Sequence, residues 1–142
     1  MSELTQAQAT PPTGKLRGAL RDLCEGANQA HLATILPDGS PHSVPVWIGV
    51  EGERVAFLTG PGSRKARNIA RDPRVAISVT DREQPFTMAM IRGRVVDRIE
   101  GDHAWEIIDR ISAVYTGGPY ARGEQRVVFL VEPEHVTTTA YR

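Results

Sequence analysis

Residues 14–26 place Leu16, Leu20 and Leu23 at helical spacing, with Ala19 and Ala27 in the same stripe. Gly26 stands where such a helix would end. The pattern then turns to β. Residues 30–36 are strand-compatible and run into Pro37-Asp-Gly-Ser40, a turn in which glycine supplies positive φ. Over residues 44–50, Val44, Val46, Ile48 and Val50 alternate with Pro45, Trp47 and Gly49, which predicts one strand with two distinct faces. Pro45 cannot donate to a ladder and marks an edge or a bulge. A third strand follows over residues 54–59.

Gly60-Pro-Gly62 breaks the sheet, and Ser63 is a good N-cap for a short helix over residues 64–71, stopped by Asp72-Pro73. In that helix Ala66, Ile69 and Ala70 are expected to face the core; Arg64, Arg67, Asn68 and Arg71 share the outer side. Strands are predicted over residues 74–80 and 86–99, with Gly93 a candidate bulge. Asp102 is a candidate cap for a helix carrying Trp105, Ile108, Ile111, Val114 and Tyr115 on one side. The unbroken apolar run at 127–131 predicts a strand covered on both faces, and Pro133 separates it from a last strand at 136–141.

Six or seven strands with short connections, and two or three helices, predict a mainly β, antiparallel barrel or sandwich with peripheral helices. Residues 13–142 form one expected domain, preceded by a loose arm at 1–12 that has no apolar face and no secretion-signal core. Lysine and arginine balance aspartate and glutamate at 17 each, which argues against a general nucleic-acid or anionic-membrane binder. No segment has the apolar length of a membrane span, and cytoplasm is the expected location. The single cysteine, Cys24, can form neither an internal disulfide nor a multi-thiolate metal site.

The sharpest candidate site is the glycine-rich turn feeding the 64–71 helix. A helix N-terminus offers unpaired N–H groups to an anion, and Arg64 and Lys65 add positive charge. A merely solvated charged face fits the same pattern, and the Walker spacing is absent. His31, His42, His103 and His135 show no metal-ligand spacing, and no Gly-x-Ser-x-Gly elbow organises a hydrolytic nucleophile. Trp105 reads as core. Trp47, opposite Val44 and Val46, could line a pocket for a planar ring, a subunit contact or the core.

Several segments together resemble the pyridoxamine-phosphate-oxidase-like split β-barrel proteins, closest to small actinobacterial enzymes that use the deazaflavin coenzyme F-420. They are Leu32-Ala-Thr-Ile-Leu-Pro-Asp-Gly-Ser-Pro41, Val44-Pro-Val-Trp47, Phe57-Leu-Thr59, Gly62-Ser-Arg-Lys-Ala66, Asn68-Ile-Ala-Arg-Asp-Pro-Arg-Val75 and Gly93-Arg-Val95. The resemblance implies an antiparallel split β-barrel that dimerises, with cofactor clefts at the subunit interface. It implies that Val44, Pro45, Val46 and Trp47 lie beside the cofactor ring, that Leu58 and Thr59 border it, and that Ser63, Arg64 and Lys65 hold its phosphate. Met88 falls where the flavin oxidases carry a glutamine that touches the ring, a departure that counts against vitamin B6 oxidation. The implied activity is an oxidoreductase passing hydride from reduced F-420 to a small conjugated acceptor. Tyr115, Tyr120 and His42 are proton-donor candidates by chemical type alone. The alternatives are an FMN-dependent oxidase or flavin reductase, and a non-catalytic protein that stores or senses a cofactor.

Overall fold

The computed structural model describes residues 8–9 and 16–140. In chain order it comprises β1 (Gln8–Ala9), α1 (Gly18–Glu25), β2 (Gln29–Ile35), β3 (Pro41–Val46), β4 (Ile48–Glu51) and β5 (Arg54–Thr59). Then come α2 (Arg64–Arg71), β6 (Arg74–Thr80), β7 (Met88–Ile99), α3 (Gly101–Thr116) and β8 (Val127–Thr139). Every strand pair is antiparallel, in the order β3-β2-β6-β7-β8-β5-β4, and β1 also pairs with β8. The mainly β, antiparallel split-barrel architecture expected from the sequence is the one observed.

The outermost strands explain the curl. β3 and β4 end the sheet at opposite edges, yet Trp47 alone joins them in the chain. A sheet whose two edges are covalent neighbours must bend round until they meet. No ladder links β3 to β4 among the described residues, so the barrel stays split along that seam. The stretch 44–50 is therefore two strands meeting at a corner, not the single strand its alternation predicts. Pro45 does sit on an edge strand.

Alternation fills the inside of the barrel. Leu32, Val55, Phe57, Ile77, Val79, Ile91, Val127, Phe129 and Val131 are buried there, with Leu20, Leu23 and Cys24 of α1 packed among them. Ala19, expected in the helix stripe, is exposed; Cys24 takes the inward position. On the outer side, Ala104, Ile107, Ile108 and Ile111 of α3 cover Ala56, Val128 and Leu130. β8 is thus apolar on both faces because it separates barrel interior from helix.

β8 also runs through Pro133 without a break, where two strands were expected. The ladder with β7 shifts register at Gly93, opposite Pro133, so the proline occupies an irregularity where its missing N–H costs no regular bond. A Cβ on Gly93 would lie 2.0 Å from the carbonyl oxygen of Glu132, so only glycine allows this approach. In the arm, Gln8 and Ala9 pair with Thr138 and Thr137, which makes those two residues strand; the rest of 1–12 lies outside the described residues.

Candidate functional site

The turn between β5 and α2 behaves as its residues dictate. Ser63 takes extended backbone geometry, and its hydroxyl accepts the Ala66 N–H at 3.1 Å as the N-cap. The Thr59 hydroxyl donates to Ser63 Oγ at 2.8 Å, and Ser63 N–H closes the turn onto Gly60 O at 3.1 Å. Helix geometry leaves the N–H groups of Arg64 and Lys65 without intrahelical partners at this end.

Beside the turn lies an open groove of about 620 Å³, lined by Leu58, Thr59, Ser63, Lys65, Tyr120 and Arg126 among others. Two cations, Lys65 and Arg126, line it. Burial, and then the charge of Arg126, hold the Lys65 ammonium below its ordinary pKa. Hydrogen bonding to Tyr120, and more weakly to Glu124, holds Arg126 above its own. The Arg126 guanidinium lies 5.9 Å from the Tyr120 ring centre and 3.1 Å from a Glu124 carboxylate oxygen. With one carboxylate against two cations, the groove favours a bound anion.

The groove continues along aromatic rings. Tyr120 and Arg126 also line a hollow of about 560 Å³ that reaches Trp47. Trp47 stacks on Tyr115 at 5.1 Å between ring centres and 8° between planes, and meets Tyr120 edge-on at 6.0 Å and 86°. It is 36% exposed, so much of the indole stays available as a flat surface. Beyond Trp47, a hollow of about 490 Å³ is bounded by Asn28, Gln29, Pro45, Val46, Tyr115 and Arg82 among others. The corner residue between the barrel's two edges therefore stands midway along one path from cationic turn to aromatic hollow.

The structure brings Leu58, Thr59, Ser63 and Lys65 together in the first groove, and Pro45, Val46 and Trp47 in the last hollow. Val44 sits half-buried opposite Leu32, outside both linings. Arg64 is exposed and is not among the residues lining the groove; Arg126 supplies the second cation instead. Met88 opens β7 between Thr80 and Thr139, half-buried, and is not among the lining residues of the path. Asn68, expected on the outer side of α2, is fully buried and donates to the Thr34 hydroxyl at 3.0 Å. Ala70, expected to face the core, is exposed. Trp105 is only partly buried, at the rim of the α3 cluster, with the Arg122 guanidinium 3.9 Å from its ring centre.

Among the proton-donor candidates, Tyr115 donates its hydroxyl hydrogen to Asn28 O at 3.0 Å while accepting the Ile48 N–H at 3.3 Å. Burial raises its pKa further, so this phenol is committed to holding the corner. His42 is half-buried, and its Nδ1 is buried without a hydrogen-bond partner among the described residues. Tyr120 lines both the groove and the middle hollow. Sequence reasoning missed Arg126, Arg82 and Asn28. Arg126 directly precedes the apolar run of β8, which puts it at a strand mouth, but nothing in one sequence aims it across to Lys65. Among the described residues no group of three or more His, Cys, Asp or Glu could hold a metal ion, and no helix is long and apolar enough to cross a membrane.

Comparison with known proteins places these observations. No protein of curated function matches the chain. Among solved structures, an F-420 reductase superposes with a TM-score of 0.74 at 30% identity, over 84% of this chain and 97% of that one. A conserved hypothetical protein from Mycobacterium tuberculosis superposes with a TM-score of 0.70 at 23% identity, over 89% and 87% of the two chains. A pyridoxamine 5'-phosphate oxidase-related, FMN-binding protein from Nostoc punctiforme has a TM-score of 0.58 at 17% identity, over 78% and 73%. At those last two identities the likeness speaks for the fold alone. The family model described as pyridoxamine 5'-phosphate oxidase matches residues 16–140, every strand and helix but β1. The chain belongs to the pyridoxamine 5'-phosphate oxidase family.

Proposed function

We propose that this protein is a coenzyme F-420-dependent oxidoreductase that passes hydride to a small conjugated organic acceptor. The observation that carries the reading is the presence of Lys65 and Arg126 in one groove, which shares Tyr120 and Arg126 with the hollow that reaches Trp47. The residues fit a cofactor of this class. Crowded cations and a capped helix start suit a phosphate, and flat aromatic rings further along suit a tricyclic ring system. The F-420 reductase that resembles the chain over most of its length supports the deazaflavin choice.

In this reading Lys65, Arg126 and the first N–H groups of α2 bind the phosphate, while Thr59 and Ser63 hold the turn that presents them. Trp47 orients the ring from the middle hollow, with Pro45 and Val46 beyond its far end, and Leu58 borders the groove at the phosphate end. The cofactor, when bound, supplies the two-electron hydride donor. Tyr120, on the groove wall beside Trp47, gives its phenolic proton to the acceptor atom that becomes basic once hydride has arrived at the far end of the conjugated system.

The protein acts as a homodimer with its cofactor sites at the subunit interface. The outer face of β2, β6 and β7 supports this: Met90 is 57% exposed there, beside small residues such as Ala33, Ala76 and Ser78. Met88 lies on the same side of β7 as Met90 and meets the cofactor held by the other protomer. The cytoplasm is the proposed location.

FMN is the competing cofactor, because the cradle serves either phosphate. Separate titrations with F-420 and FMN, followed by anaerobic mixing of the reduced complex with a panel of conjugated acceptors, test the reading. Tight binding of F-420, weak binding of FMN and bleaching by an acceptor are expected. The reverse order of affinities replaces F-420 with FMN; tight binding with no acceptor turnover makes the protein a cofactor binder.

A further inference from the structure

We propose that the hollow between Trp47 and Arg82 is the acceptor pocket and that it selects planar conjugated carboxylates, with Arg82 taking the acid group. This rests on the oxidoreductase reading for the word acceptor, but the recognition chemistry stands on the pocket itself. Its lining holds the stacked pair of Trp47 and Tyr115 together with Pro45, Val46, Asn28, Gln29 and Arg82. A flat ligand laid on the exposed indole gains stacking that a bulky saturated one does not.

Arg82 is held in place by its backbone. Its N–H donates to Asn28 Oδ1 at 3.0 Å, and the Asn28 amide donates in turn to Leu23 O at 2.9 Å. Asp81 Oδ1 accepts the N–H groups of Glu83 at 2.8 Å and Gln84 at 3.1 Å, which fixes the turn on either side of Arg82. Its guanidinium, in contrast, has no carboxylate within ion-pair distance among the described residues. At two neighbouring hollows the arginines are paired with carboxylates, Arg110 with Glu51 and Arg122 with Asp109. A planar, five-donor cation at the open side of an aromatic pocket matches the two oxygens of a carboxylate. Trp47 borders both this hollow and the one reached from the phosphate cradle, so an acid held by Arg82 places its conjugated system against the rings.

The probes are trans-cinnamate and cinnamamide, which share shape and conjugation and differ in charge. Calorimetric titration of each into the full-length protein, wild type and the Arg82→Gln and Arg82→Lys variants, reads the selection, and F-420 affinity is measured on the same samples. Wild type is expected to bind cinnamate about tenfold or more tightly than the amide. Arg82→Gln removes that preference, Arg82→Lys keeps part of it, and F-420 affinity and melting temperature stay unchanged in both. Equal binding of the two probes to wild type, binding of neither, or a preference that survives Arg82→Gln overturns the assignment. Cinnamate selection by Arg82 in a protein that binds neither F-420 nor FMN would sustain the pocket and defeat the oxidoreductase reading, so the two failures are distinct.

Discussion

Lys65 and Arg126 offer a quantitative test of the cradle. Lys65→Met and Arg126→Gln each remove one charge-assisted contact to a phosphate, worth about 1.5–3 kcal/mol, or about 10- to 150-fold in dissociation constant. The two losses will not add, because the cations already press on each other through the groove. Titration of F-420 fluorescence into wild type, both single variants and the double variant completes the cycle. The chain has only 2 lysines, Lys15 and Lys65, against 15 arginines, so reductive ¹³C-methylation gives a nearly background-free NMR report on Lys65. Its folded pKa lies below the ordinary 10.5. The charged form is therefore disfavoured by folding, and this penalty is full at neutral pH and fades as pH rises from the lowered folded pKa to 10.5. A bound phosphate reverses the shift, so affinity weakens as pH climbs through the Lys65 pKa of the free protein. Unchanged dissociation constants in all three variants, or a Lys65 resonance that ignores saturating F-420, would refute the cradle.

Other outcomes follow from single residues. Burial pushes the Cys24 thiol up to about 12, so it should resist alkylation at pH 8 more than a thousandfold better than an ordinary thiol of pKa about 8.5; mass spectrometry should find it labelled only at the rate of unfolding. Gly93→Ala drives a methyl into the Glu132 carbonyl and should cost about 1–3 kcal/mol or more in urea melts, whereas Gly62→Ala, where a Cβ meets nothing within 4 Å, should be nearly neutral. Tyr120→Phe should lower kcat about 10²-fold; unchanged kcat removes this phenol from the proton-donor role.

Much of this architecture was legible in the residues, because alternation and turn chemistry are local. The bounds of α2 and β6 follow from Ser63, Asp72 and Pro73, which start and stop the backbone by their own geometry. The corner at Trp47 was not legible. Alternation continues through it, and only the closing of the sheet separates β3 from β4. Pro133 misled for the converse reason: its tolerance depends on Gly93, forty residues earlier and directly across the ladder. At the site, the Gly60 turn and Lys65 were readable as a helix start with charge. Arg126 was not, since its meeting with Lys65 arises from the β5–β8 pairing, in which Thr59 stands opposite Val127. Asn68 read as solvated because its partner, Thr34, lies on β2, distant in the sequence.

The most direct test is a crystal structure of the protein soaked with F-420, and in parallel with FMN. Difference density should place the phosphate between the Lys65 ammonium and the Arg126 guanidinium, with the ring system running toward the Trp47 indole. A well-ordered ligand whose phosphate sits elsewhere, with Lys65 and Arg126 touching only solvent, would contradict the account.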